Sequence, residues 1–174
     1  MIKYINQINN RENILYTNIL LLTRNKLFYT KFHLIDTFQN RIHLIFIHIS
    51  FMFIKIKQDS KNKTFKKFYQ KIFDLIFYKI ELNMRELGFS DTTINKNMKF
   101  LIKTFYNILL YCEKYKIKGM DDKCIFFNKY LELDKTKNTF NNEDLIEYFD
   151  KYEAFCFDLN TNSVLKGELN FNYK

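Results

Sequence analysis

Glycine occurs three times in this 174-residue chain, alanine once (Ala154), and proline and tryptophan not at all. So few glycines leave little scope for a phosphate-cradling loop, and no GxGxxG, GxxxxGK[ST] or GxSxG pattern occurs. The three cysteines, Cys112, Cys124 and Cys156, share no CxxC spacing. That argues against a disulfide framework and for a reducing compartment. The three histidines offer no better metal site. His43 and His48 are five apart, off a common helix face, and His33 stands away from both. A packing role is expected for them, and neither metal nor other cofactor. Cys112 falls on an apolar helix stripe and is expected to be an inert, buried thiol. Glu81 and Glu86 are an ordinary exposed pair. No catalytic constellation emerges, and the chain is not expected to be an enzyme.

Long apolar runs are also missing. Between Arg41 and Lys55 lie 13 residues with two histidines among them, whereas a membrane span needs about 20. A central helix buried on all sides is expected there, with a buried strand as the lesser alternative. Residues 1–13 are polar and lack a small-residue cleavage site, so no signal peptide is expected. No internal repeat is evident.

What is present is Ile, Asn, Lys, Phe and Tyr in abundance, with 47% apolar and 27% charged residues. One domain fits this length, and a chain of this size buries roughly 70% of the surface its unfolded form exposes. The net charge of +9 is uneven. Residues 1–118 carry 21 Lys+Arg against 8 Asp+Glu, and residues 119–174 carry 7 against 11. Two explanations stand side by side: an anionic neighbour such as ribosome, membrane or acidic protein, or a lysine-rich solvated surface from A/T-rich codons.

Helical spacing organises the chain. Leu15–Asp36 reads as helix and then loop, with Asp36-Thr37 as an N-cap pair for the apolar helix that follows. Gln58–Lys63 reads as a loop. From Thr64 to Leu87, Phe65, Phe68, Ile72, Ile76, Ile80 and Met84 repeat at three and four, and Gly88 sits where a left-handed C-cap belongs. Lys61, Lys63, Lys66, Lys67 and Lys71 interleave with Phe65, Phe68 and Tyr69, but those aromatics fall on the apolar stripe and are expected in the core. No nucleic-acid module appears, and no specific DNA binding is expected. Ser90-Asp91 caps a helix ending near Lys118-Gly119, with Ile94, Met98, Leu101, Ile102, Phe105, Leu109 and Cys112 on its apolar stripe. Lys96, Lys99 and Lys103 form a row on another face. Asp121 and Asp122 start a shorter helix to about Leu133, and Asn142 starts a last one to about Phe157. The expectation is an all-α, single-domain bundle of about five to seven helices over 15–158. A flexible N-terminus (1–14) and a loose polar tail (159–174) would flank it.

Several short pieces hold a distinctive order: Phe28-Tyr29, Asp36-Thr37 with Arg41, His48 in the apolar helix, Arg85-Glu86-Leu87-Gly88, Asp91, Met98-Lys99, Phe105-Tyr106, and later Asn128 and Tyr130. Over about residues 15–150 the series resembles the ubiquinol–cytochrome c chaperone family of complex III assembly factors, in its short bacterial form. The resemblance implies an all-helical, non-enzymatic domain that helps newly made cytochrome b mature and enter ubiquinol–cytochrome c reductase. Mitochondrial members act with a small partner protein at the ribosome. It also implies a cytoplasmic protein at the inner face of the inner membrane in a bacterium, or a matrix protein in a mitochondrion. Within this frame the motif residues are a fold signature first and a client surface second. The row Lys96, Lys99 and Lys103 is the candidate contact with an anionic partner, ribosomal RNA or lipid headgroups. The competing function is a basic helical adaptor for RNA or an anionic membrane.

Overall fold

A helix apolar on every face must lie in the middle of a protein. In the computed structural model, which describes residues 11–58, 63–134 and 142–173, that helix is α3 (Phe38–Gln58). Fifteen of its 21 residues are buried, because α1 (Arg11–Thr23), α4 (Lys63–Glu86), α5 (Asp91–Cys112), α7 (Glu143–Asp158) and α8 (Thr161–Leu165) all pack on it. Two further helices, α2 (Leu27–Thr30) and α6 (Met120–Tyr130), close the bundle. Among the described residues there is no strand. A single bridge pairs Leu34 with Leu133. The all-α expectation therefore holds, and the strand alternative for 42–54 does not. No described helix is long and apolar enough to cross a membrane.

Aromatic contacts fix the helix directions. Phe46 meets Phe77 and Phe53 meets Tyr69, so α4 runs against α3. Phe105 touches both Phe46 and Phe53, and Lys57 near the end of α3 pairs with Glu113 just past α5, so α5 runs with α3. His48 meets Tyr148, and Lys55 Nζ donates to the Phe157 carbonyl at 2.8 Å, so α7 also runs with α3. One end of the bundle thus gathers the start of α3, the end of α4 and the starts of α5 and α7.

Local chemistry sets the boundaries. Gly88, at φ 83°, ends α4 in the left-handed conformation expected of it. The Gly88 N–H donates to Arg85 O and the Phe89 N–H to Met84 O, the paired bonds of a Schellman cap. Ser90 caps α5 by accepting from the Thr93 N–H. At α3 the cap is Thr37, whose Oγ1 accepts from the Asn40 N–H at 3.1 Å. Asp36 and Asp91, expected as caps, are corrected here. Each sits one residue away from the capping position and pairs with an arginine instead.

Three other boundaries differ from expectation. α5 stops at Cys112 and a 3-10 turn over Tyr115–Ile117 follows, turning the fully buried Tyr115 inward. α1 begins at Arg11, inside the segment expected to be loose, and buries Glu12, which Lys71 reaches at 3.3 Å. The expected loose tail contains α8 and packs down. Val164 and Leu169 are buried, and Phe171 and Tyr173 lie on Tyr148. Asn18 Nδ2 donates to Gly167 O at 2.6 Å, tying this segment to α1. The reason is a few apolar side chains that find an aromatic floor, against a composition that is mostly polar. Residues 1–10 and 59–62, part of the expected N-terminal segment and of the Gln58–Lys63 loop, lie outside the described residues.

Candidate functional site

The signature residues divide into a core set and two surface corners. In the core, His48 is fully buried on α3, ringed by Phe28, Tyr148, Phe149 and Tyr152. Its Nδ1 lies 2.7 Å from the Leu44 carbonyl, which can only accept, so Nδ1 carries the proton. Nε2 is then free to accept from the Tyr148 hydroxyl at 2.8 Å. Desolvation pushes the imidazole pKa down to about 4, so the ring is neutral at ordinary pH. His48 pins α7 to α3 and has no exposed edge for a ligand.

His43 is also buried. Its Nδ1 bonds the Tyr130 carbonyl, while burial lowers its pKa. Cys112 is buried, and desolvation pushes its thiol pKa up. Among the described residues no group of three or more His, Cys, Asp and Glu is placed to hold a metal ion.

The first corner lies where α2 leads into α3. Arg41 grips Asp36 through two bonds, Nε–Oδ1 at 2.6 Å and Nη2–Oδ2 at 2.7 Å. Hydrogen bonding to Arg41 lowers the Asp36 pKa. Tyr29 lies beside the pair. Beneath them is a residue the sequence reading passed over. Asn40, buried in α3, donates through Nδ2 to Ile35 O at 2.7 Å and to Glu132 O at 2.8 Å. Its Oδ1 accepts from the Glu132 N–H at 2.8 Å. The amide joins the α2–α3 bend to the strap after α6, where His33 adopts φ 54° and its carbonyl accepts from the Asp134 N–H. The signal was in the sequence: Asn40, Leu44, Ile47 and Phe51 fall on one helical stripe, so a polar side chain was aimed inward.

The second corner is the α4–α5 turn. Arg85 bonds Glu81 at 2.9 Å and Asp91 at 2.6 Å, tying the last turn of α4 to the first turn of α5. Leu87 and Phe89, on either side of Gly88, are exposed, as is Glu86. Both corners stand at the end of the bundle where α3 begins.

The basic row lies on α5 as expected, with Lys96, Lys99 and Lys103 all exposed. Met98, half-buried, and the buried Phe105 belong to the opposite side. Tyr106, named in the signature, is 46% exposed and leans on Phe73 and Phe105. Phe100 and Leu110 share the exposed side and were missed, although apolar residues off the packing stripe were visible in the sequence. The lysines and aromatics of 65–71 do not make a comparable patch, since Phe65 and Phe68 are buried.

The architecture is that of an all-helical protein whose distinctive polar features are surface corners. The family model described as Ubiquinol-cytochrome C chaperone matches residues 30–123, just over half of the chain, and the protein belongs to that family. The match covers the ion pairs of both corners and the lysine row. It leaves Phe28, Tyr29, Asn128 and Tyr130, which also suggested the resemblance, outside its limits. The crystal structure of the Cbp3 homolog from Brucella abortus is similar over 94% of this chain and 89% of that one, with a TM-score of 0.76 and 19% identity. At that identity the likeness speaks for the fold. No curated protein matches the sequence.

Proposed function

We propose that this protein is a non-enzymatic chaperone that receives newly made cytochrome b and helps it assemble into ubiquinol–cytochrome c reductase. The observation that carries the reading is the family match over 30–123, the stretch that builds α3, α4 and α5 and both ion-pair corners. Leu87 and Phe89 supply exposed apolar surface for a membrane-protein client, and Arg85 holds their turn in place through Glu81 and Asp91. An apolar client segment needs such a surface until it finds its place in the complex. The reading includes the small partner protein and the ribosome as neighbours, and a site of action at the inner face of the energy-transducing membrane.

Deleting the gene and measuring cytochrome b tests this reading. Loss of cytochrome b and its rescue by the wild-type chain support it, and normal accumulation without the protein refutes it. The lysine row favours a second, compatible role as a contact with an anionic partner.

A further inference from the structure

The outer face of α5 combines two features that the fold does not require. The first is charge of one sign. From Thr92 to Cys112 the helix holds no acidic residue. Among the described residues Lys96, Lys99 and Lys103 have no ion-pair partner, and the nearest acids along the chain are already engaged: Asp91 by Arg85 and Glu113 by Lys57. The second feature is apolar surface in the open. Phe100 is 59% and Leu110 60% exposed, and Tyr106 is partly exposed beside them. At 100° per residue the three lysines and Leu110 fall within a band about 60° wide, with Phe100 on one flank and Tyr106 on the other. α5 packs on α3, α4 and the 3-10 turn through its opposite side, and no described element covers this band.

We propose that this face seats the protein on an anionic lipid bilayer, with the lysines at the headgroups and Phe100, Leu110 and the Tyr106 ring at the acyl boundary. Charge complementarity points to an anionic surface. The choice of apolar residues points to lipid and away from RNA. A leucine presents no ring for a base to stack on, whereas lysine, aromatic and leucine side chains together are the composition of interfacial helices. Lysines near an anionic surface contribute about 1 kcal/mol each, so three of them amount to roughly a hundredfold in affinity. The proposal deepens the membrane-face part of the proposed function and does not depend on cytochrome b being the client.

The test is co-sedimentation of the purified full chain with vesicles of phosphatidylcholine alone and of phosphatidylcholine mixed with phosphatidylglycerol. A single-stranded RNA at the same salt is the comparison. Binding is expected to the mixed vesicles only, and to weaken steeply with salt. Changing Lys96, Lys99 and Lys103 to Gln should weaken it roughly a hundredfold, and changing all three to Glu should abolish it. The double variant Phe100→Ser, Leu110→Ser should weaken it about tenfold or more, since burial of even part of these side chains is lost. All three variants should keep the wild-type melting temperature, because every altered side chain is exposed. Failure of the wild type to bind mixed vesicles overturns the proposal, and so does RNA binding without vesicle binding. Wild-type vesicle affinity in the Gln triple variant or in the Ser double variant also overturns it. None of these readouts involves cytochrome b, so a failure here is separate from a failure of the client reading.

Discussion

α3 and α5 lie side by side, run the same way and are nearly equal in length, at 21 and 22 residues. Each holds twelve apolar residues. Yet α3 buries fifteen residues and α5 six. In α3 each buried polar side chain is tied to the fold: Asn40 to two backbone segments, His43 through Nδ1 to the Tyr130 carbonyl, His48 to Tyr148 and Leu44, Ser50 to Phe46. The His43 Nε2 is the one such atom of α3 left without a partner among the described residues. In α5 the polar groups other than the buried Thr104 lie toward the surface, three of them as like charges at spacings where repulsion costs a few tenths of a kcal/mol per pair. Burial imposes partners on polar atoms because an unsatisfied one costs about 1–3 kcal/mol. Exposure imposes nothing. A buried polar residue in α3 is therefore explained by the fold, whereas exposed lysines among exposed Phe100 and Leu110 in α5 call for a different explanation.

The contrast can be broken most forcefully on the α3 side. Asn40→Ala removes three hydrogen bonds and strands the Glu132 N–H, leaving the Ile35 and Glu132 carbonyls with only the Thr37 and Ile35 N–H groups. It should cost about 2–4 kcal/mol in chemical denaturation. A loss under 1 kcal/mol would show that water serves these groups as well.

Next in size is a pH effect. His48 titrates at about 4 in the folded protein and near 6.5 when unfolded. Between those values the unfolded chain binds the extra proton, so stability is fully present above about pH 6.5 and falls as pH drops toward 4. The contribution is about 3 kcal/mol. In the double variant His48→Leu, Tyr148→Phe this part of the slope should vanish. A slope that persists unchanged assigns the effect to other groups.

A similar or smaller effect is expected at Gly167, with φ 77°. A Cβ there would stand 2.8 Å from the Leu15 nitrogen and from Ile14 Cγ2, so Gly167→Ala should cost about 1–3 kcal/mol. A neutral result would mean that the C-terminal segment is not docked on α1. That segment was the least legible part of the sequence. Leu169, Phe171 and Tyr173 alternate with polar residues as a strand would, yet no strand forms among the described residues, and their binding surface is formed by Tyr148 and α1, far away in the chain.

α4 and the first four turns of α5 were legible because their apolar residues repeat at three and four, and Gly88 and Ser90 mark the corner between them. The caps were legible to within one residue. In Asp36-Thr37 and Ser90-Asp91 either side chain can serve as a cap, and only the arginine across the corner decides which of them does. The family's order of motifs was legible too. Phe100 and Leu110 were not legible in this way, because helical period marks the residues on the packing stripe and these two fall off it.

Smaller effects separate cap from ion pair. Thr37→Ala and Ser90→Ala should each cost about 0.5–2 kcal/mol. Asp36→Ala and Asp91→Ala remove exposed ion pairs and should each cost under about 1 kcal/mol. The reverse order would restore the aspartates as caps.

On the function proposed above, the exposed surface of this bundle serves the maturation of cytochrome b. The most direct measurement is the amount of cytochrome b in membranes of cells lacking the gene, with and without the wild-type chain supplied back. Cytochrome b is expected to fall on deletion and to recover fully with the wild-type protein. Undiminished cytochrome b in the deletion strain would contradict it.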